Sequence, residues 1–316
     1  GRVFMACYQN MMNELSDIIL KHKLKFDNTI IIGDNSSGKS ELLKNVLVKD
    51  GAKNWYLIDS VNRYFSVSQI FKMSGEASKL QFSKKIIEHR LMADNYNLKD
   101  TFYYMGVPTS IENFYFEFED SIKNLMRQFL GVELMVVQSE VGYKVYLDNI
   151  ESSLSSGYQA LMRLFMEMEY VSRTMKNGFV IIDEIDEFLF AYNSGNIFDF
   201  LRQKYSGFSF IVTTHSADLI ANAKAANIIL LSENNYELLD AGDFNSVSQV
   251  YNIFDSVFVK TKDIDEGEKI DTCLRRLLNN KVAGIWKETD QRELENIKEL
   301  NLSKVQKVMV RQIEEW

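Results

Sequence analysis

Two cysteines, one proline and three histidines stand in a chain of 316 residues, and each scarcity closes off a class of protein. Cys7 and Cys273 cannot build a disulfide framework, and neither belongs to a C-x-x-C pair, so a disulfide scaffold and a cysteine zinc site are both excluded. Pro108 alone leaves no proline-rich hinge or linker. No apolar run approaches the roughly 18 residues that span a bilayer, and the start lacks the basic and apolar regions of a secretory signal. A soluble protein of a reducing cytoplasm is expected, with no membrane partner. The chain opens on Gly1 and not on Met, so residues 1–4 carry no weight in reading the fold. Positive charge is short as well. Lys and Arg number 36 against 44 Asp and Glu, a net charge of −8, which excludes a strongly basic, DNA-coating protein. Nucleic acid is therefore not implied by charge, although a local basic patch on an acidic whole is compatible with it.

Hydrophobic residues make up 46% of the chain, enough for one large α/β core with appendages. Met11, Met12, Leu15, Ile18 and Ile19 recur at helical spacing and predict an amphipathic helix over residues 11–25. Residues 29–32 and 55–58 read as buried strands, with a helix between them that ends near Asp50. Polar helices follow to about residue 100, broken at Ser74 and Gly75. In the middle third, aromatics alternating with carboxylates predict a strand over 114–118, then a short helix over 121–130 and a hairpin of 134–138 with 143–147. The runs 179–182 and 208–213 are continuously apolar or β-branched, as in parallel strands covered on both faces. Another strand pair is read at 228–231 and 236–239, and the tail carries a helical stripe of Ile270, Cys273, Leu274, Leu277 and Leu278. These signals divide the chain into an N-terminal helix (5–27), a core (28–60 with 150–260), an inserted α+β lobe (61–149) and a helical C-terminal tail (261–316). No internal repeat is present.

The chemistry is concentrated in three places. Gly33, Asp34, Asn35, Ser36, Ser37, Gly38, Lys39 and Ser40 fill the pattern G-x-x-x-x-G-K-[ST] directly after the apolar run 29–32. Its glycines let the backbone curl so that N–H groups point at phosphates, and the next helix adds the positive end of its dipole. A nucleoside triphosphate site extending through Glu41 is expected, with Lys39 on the β- and γ-phosphates and Ser40 on Mg²⁺. Leu42, Leu43, Val46 and Leu47 follow at helical spacing, which makes the loop a strand-to-helix joint and not a chance surface turn. Farther along, 179–182 leads into Asp183 and Glu184: an aspartate placed to organise magnesium at a strand end, beside a carboxylate free to polarise water. A bare Asp-Glu is otherwise often a helix N-cap, but here it shares a chain with a phosphate loop. Lastly, Ser155, Ser156 and Gly157 open a helix whose apolar face holds Leu161, Leu164, Phe165 and Met168, forming a second anion site.

Taken together these motifs resemble the ABC-type ATPases. Gly33 to Ser40 is similar to their Walker A loop, Leu154 to Tyr158 to a variant of their signature loop, and Phe179 to Glu184 to their Walker B strand with its catalytic glutamate. His215, at the end of the next strand, then matches their switch histidine, which contacts the γ-phosphate. The variants Gly33-Asp34-Asn35, Ser155-Ser156-Gly157 and Asp183-Glu184-Ile185-Asp186 most resemble the small soluble AAA-type ATP-binding proteins related to SMC, RecF and OLD, over about residues 24–240. The resemblance implies a P-loop NTPase fold with an ABC-type mixed sheet, the cofactors ATP and Mg²⁺, and catalytic roles for Glu184, His215 and Lys39. It further implies that Ser155, Ser156 and Gly157 act in trans on the γ-phosphate held by another protomer, so that ATP joins two chains head to tail. A partner protein would be driven or gated by this cycle, a nuclease or toxin in bacterial anti-phage defence being the expectation from the clade, or else a DNA structure.

This chain also departs from that pattern. Where the clade carries Asp or His in the loop beyond Walker B, this chain has Phe190, which alters the link between paired sites. No glutamine is marked as the Q-loop residue: Gln69, Gln81 and Gln138 are candidates, each also readable as a surface amide. Phe26 and Tyr8 are candidates for stacking on the base, and each is also readable as core. Arg63, after the strand 55–58, meets phosphate or a partner, or else makes an ordinary surface ion pair. The stretch from Ser40 to Leu154 is too short for long coiled-coil arms. Rival readings are a transporter's nucleotide-binding subunit, an ATP-dependent switch with little hydrolysis, and a nuclease using Glu112, Glu117, Glu119 and Asp120, residues that fit the solvated face of a strand better.

Overall fold

The computed structural model describes residues 2–21, 23–33, 37–50, 54–71, 102–104, 107–232, 235–243, 250, 270, 273–274, 276–278, 280–281, 286–300, 302 and 304–315. Asp34, Asn35 and Ser36, the polar stretch around Ser74 and Gly75, and Gln81 lie outside the described residues. The chain divides into two units, Gly1–Asp243 and Phe244–Trp316.

In the first unit the elements run α1 (Arg2–Leu20), β1 (Asn28–Gly33), α2 (Lys39–Lys49), β2 (Trp55–Ile58), β3 (Phe102–Tyr104), β4 (Val107–Thr109), α3 (Tyr115–Leu130), β5 (Leu134–Ser139), β6 (Gly142–Leu147) and β7 (Ile150–Ser152). They continue with α4 (Ser156–Thr174), β8 (Gly178–Ile182), α5 (Ala191–Lys204), β9 (Phe208–Thr214), α6 (Ala217–Asn222), β10 (Ala226–Leu231) and β11 (Tyr236–Asp240). Six strands form one sheet in the order β11-β10-β1-β9-β8-β2, parallel throughout except for β11. This is an α/β fold in which β1, the strand that ends at Gly33, is central. The strand that leads into Asp183 lies two places away from it, with β9 between.

Continuous Ile, Val and Leu runs suit strands buried on both faces, and β1 is buried from Thr29 to Gly33. Ile31, Leu57, Ile181, Ile211 and Ile229 share a cluster with Met12 and Leu15 of α1 and with Leu42, Leu43 and Val46 of α2. Each such side chain taken fully out of water contributes about 1.5–3 kcal/mol, so the helix that carries Lys39 and Ser40 is held by packing and not by propensity. On α4, burial extends along nearly the whole helix and includes the Arg163–Glu167 ion pair, at 2.6 Å. Register at the start of β1 is fixed by amides: Asn227 Nδ2 donates to the carbonyls of Phe26 (2.7 Å) and Asn28 (3.0 Å), and Asn28 Oδ1 accepts the Phe210 N–H (2.9 Å).

Two sequence expectations need correction. The first helix ends at Leu20 and not near 25, because Lys21, Lys23, Lys25 and Asp27 interrupt the apolar spacing. Residues 114–118 are not a strand. Ile111–Phe114 form a 3₁₀ turn and α3 begins at Tyr115, with Phe114, Phe118, Ile122, Leu125 and Met126 buried at the helical period. Alternation over five residues was overruled by a spacing that continues over three turns. The carboxylates consequently scatter: Glu112 is buried and accepts the Ser66 N–H (3.0 Å), while Glu119 pairs with Lys123 (2.6 Å). The hairpin formed by β5 and β6 is present with β7 added, Leu134 pairing with Leu147 and Gln138 with Tyr143.

The second unit contains α7 (Glu288–Lys298) and α8 (Lys304–Glu315). Leu274 and Leu277 of the predicted stripe are fully buried there with Leu294, Ile297, Val310 and Ile313. Arg276 pairs with Asp290 (3.1 Å) and Glu293. Burial first, then the hydrogen bond to Glu293, pushes the Cys273 thiol up to about 12, so it is not a reactive thiolate. No helix among the described residues is long and apolar enough to cross a membrane.

Candidate functional site

The carboxyl ends of β1, β8 and β9 meet at one edge of the sheet, the place where open parallel sheets present ligands. Gly33 ends β1 in close contact: a Cβ there would lie 2.3 Å from the Leu231 carbonyl oxygen and 2.5 Å from Ser37 Oγ, so only glycine fits. Ser37 is buried, and Gly38, at φ +96°, turns the chain into α2. Lys39 is buried too, and its ammonium donates to the Gly33 carbonyl at 2.8 Å. Ser40 Oγ donates to Asp183 Oδ2 at 2.6 Å, joining residues 143 positions apart. Glu41 sits in the first turn of α2, and its side chain accepts from Tyr8 OH at 3.0 Å.

Asp183 is almost wholly buried and is held from three sides. Its second oxygen, Oδ1, accepts from Thr213 Oγ1 at 2.6 Å, its N–H donates to the Ile58 carbonyl at 2.9 Å, and its carbonyl accepts from Arg63 at 2.7 Å. Thr213 accepts the Glu184 N–H at 2.6 Å through the same hydroxyl, so one buried side chain of β9 fixes both acidic residues. Glu184 adopts a left-handed backbone, φ +51°, which costs a non-glycine residue about 1–3 kcal/mol. That turn brings its carboxylate out of the strand end to 3.8 Å from His215 Nε2, both groups being partly exposed. Its side chain also hydrogen-bonds that of Glu187, whose carboxyl is pushed above the ordinary range by burial first and then by the charges of Glu184 and Asp186. Asp186 accepts from Thr214 Oγ1 at 2.6 Å, tying the same turn to β9 a second time.

Arg63 is not at the surface. It is 4% exposed, and its guanidinium donates to the carbonyls of both Asp183 and Glu184, so it braces the acidic turn from within. Burial lowers its pKa, and the charges of Glu167, Asp59 and Asp183 oppose that shift. Sequence reasoning missed Thr213 altogether. The available signal was two threonines closing an otherwise apolar strand, immediately before His215.

Ser155 and Ser156 are exposed, and Ser155 caps α4 by accepting the Tyr158 N–H at 3.4 Å. Gly157 packs beneath the segment after Glu184: a Cβ there would lie 3.1 Å from the Phe188 carbonyl oxygen and 3.5 Å from the Phe190 ring. Phe188 and Phe190 are themselves exposed, so aromatic surface borders the serine–glycine loop. Gln69 and Gln138 are exposed amides. Phe26 precedes β1 and packs under Lys25, about 20 Å of strand away from the phosphate loop. Tyr8 lies beside Gly38.

Hard oxygen donors from Ser40 and Asp183, already within hydrogen-bond distance of each other, suit Mg²⁺, which takes one or two protein ligands and completes its shell with phosphate and water. Among the described residues no group of three or more His, Cys, Asp or Glu could hold a metal unaided.

No protein-family model matches the chain, and no curated protein does. Solved structures similar to it include an SMC head bound to the C-winged helix domain of ScpA (18% identity, 40% of this chain and 45% of that one, TM-score 0.30). Another is the SMC head domain from Thermotoga maritima (16% identity, 68% and 91%, TM-score 0.37), and a third is CbiO1 from Clostridium perfringens, part of the ABC transporter complex CbiONQ (14% identity, 75% and 86%, TM-score 0.38). This chain thus spans less than half the length of the first of these.

Proposed function

We propose that this chain is an ABC-type ATPase that binds ATP with Mg²⁺ and hydrolyses it at a site completed by a second copy. The observation that carries the reading is the 2.6 Å meeting of Ser40, on the phosphate-loop helix, with Asp183, at the end of the strand two places away in the sheet. In this reading Lys39 exchanges the Gly33 carbonyl for β- and γ-phosphate oxygens, a charge-assisted contact stronger than the one it gives up. Ser40 and Asp183 would hold Mg²⁺, which when bound would offset the negative charge of the phosphates. Glu184 takes the proton of the water that attacks the γ-phosphorus, while the bond from that phosphorus to the β–γ bridging oxygen breaks and ADP leaves with the electron pair. Thr213 and Arg63 keep that carboxylate at the strand end, and His215 reports the γ-phosphate from the neighbouring strand.

Exposure of Ser155 and Ser156 at the N-terminus of the 19-residue α4 supports a role for them on a phosphate held by another protomer. Phe188 and Phe190 supply apolar surface beside that loop, and at the position of Phe190 the clade has Asp or His. What the cycle drives is read from the clade alone: an effector protein such as a nuclease or toxin, or a DNA structure. Purified protein is expected to release phosphate from ATP in the presence of Mg²⁺ and to stop when the metal is chelated. Turnover that survives chelation, or no detectable ATP binding by calorimetry, would refute the reading.

A further inference from the structure

Glu41 is an awkward residue for a phosphate loop. It follows Ser40 directly, in the turn whose N–H groups face the phosphates, and it brings a negative charge to the place where the triphosphate brings several more. The structure shows that this charge is tied down. Tyr8 reaches over from α1 and donates its hydroxyl to Glu41 Oε2 at 3.0 Å, and among the described residues it is the one hydrogen-bond partner of that side chain. The phenol lies directly on the loop: a Cβ at Gly38 would come within 2.1 Å of Tyr8 OH and 2.5 Å of Met12 Cε. Burial, then the Glu41 hydrogen bond and charge, push the Tyr8 hydroxyl up to about 12, so it remains a donor near neutral pH.

The phenol is aimed by a rigid support. Met12 and Leu15 of α1 are buried against α2, Asn45 Nδ2 donates to Ser16 Oγ at 3.0 Å, and Lys49 Nζ donates to the Asn13 carbonyl (3.1 Å) and Asp17 (3.0 Å). The helix pair therefore sets where Tyr8 stands, and Tyr8 sets where the carboxylate stands.

We propose that Tyr8 is a positioning residue for nucleotide binding, holding the Glu41 carboxylate toward α1 and clear of the phosphates; this rests on the ATP reading above. Freed of Tyr8, the carboxylate samples rotamers nearer the triphosphate and repels it. The test is the Kd for Mg-ATP, by calorimetry, of the wild type, Tyr8→Phe, Glu41→Gln and the double variant, at low and at high KCl. Tyr8→Phe is expected to weaken binding about five-fold at low salt, equivalent to about 1 kcal/mol, and by less at high salt, where the repulsion is screened. Glu41→Gln binds more tightly than wild type, and adding Tyr8→Phe to it changes nothing further. An equal loss from Tyr8→Phe in both backgrounds assigns Tyr8 to helix packing and overturns the proposal, as does no loss in either. If the wild type itself fails to bind Mg-ATP, the ATP reading falls and takes this one with it; a wild type that binds without the coupling sinks this inference alone.

Discussion

Replacing Glu184 with Gln is expected to lower Mg-ATP turnover roughly 100- to 10,000-fold, the span over which a positioned general base contributes, while Mg-ATP binding persists. The amide keeps the size of the side chain. It also leaves untouched the backbone N–H that Thr213 accepts and the carbonyl that Arg63 braces, because neither bond involves the carboxylate. What it removes is the ability to take a proton. Phosphate release measured beside an ATP titration separates the two effects. Turnover within about ten-fold of wild type, well below the span expected of a base, would place the base elsewhere.

Arg63→Met is expected to cost about 2–4 kcal/mol of stability, by the usual cost of stripping a partner from buried polar and charged groups. The substitution keeps much of the apolar stem but leaves the Asp183 carbonyl without its donor and the Glu184 carbonyl with the Glu187 N–H alone, and it removes a positive charge near Glu167, Asp59 and Asp183. Burial works against the guanidinium, so the loss comes chiefly from groups left unpaired and not from a strong net attraction. For a unit of this size the thermal midpoint should fall by roughly 5–15 °C. Arg63→Lys is expected to recover part of this, since a single nitrogen, Nη2, meets both carbonyls and an ammonium can stand in for it. A midpoint within about 1 °C of wild type, where surface substitutions fall, would mean that the acidic turn stands without Arg63.

Much of this arrangement was legible in the residues. The phosphate loop and the acidic strand end announce themselves because their chemistry needs particular residue types at fixed positions along a contiguous segment. Long apolar strands were equally plain, since burial on both faces demands unbroken Ile, Val and Leu. Arg63 and Thr213 were harder for the opposite reason. Their roles depend on which strand lies beside which, and the order β1-β9-β8-β2 is set by long-range packing that no local pattern records. Thr213 comes to Asp183 because β9 falls between the phosphate-loop strand and the acidic strand. Arg63 turns inward because the chain beyond β2 passes under the same turn. At 114–118 the failure was one of window: five alternating residues imitate a strand, whereas the turn to Phe118, Ile122 and Leu125 restores the helical period. In the sequence Tyr8 is compatible with core or base stacking alone, because the partner that gives it meaning, Glu41, lies on another helix.

The most direct test of the composite site is the solution mass of Glu184→Gln, by light scattering on a sizing column, with and without saturating Mg-ATP. A slow-turnover site closed by a second copy predicts twice the monomer mass with ATP and the monomer mass without it, and predicts that Ser155→Arg abolishes the change. An unchanged mass at saturating Mg-ATP would contradict the account, because the exposed serine–glycine loop would then have no phosphate on another chain to meet.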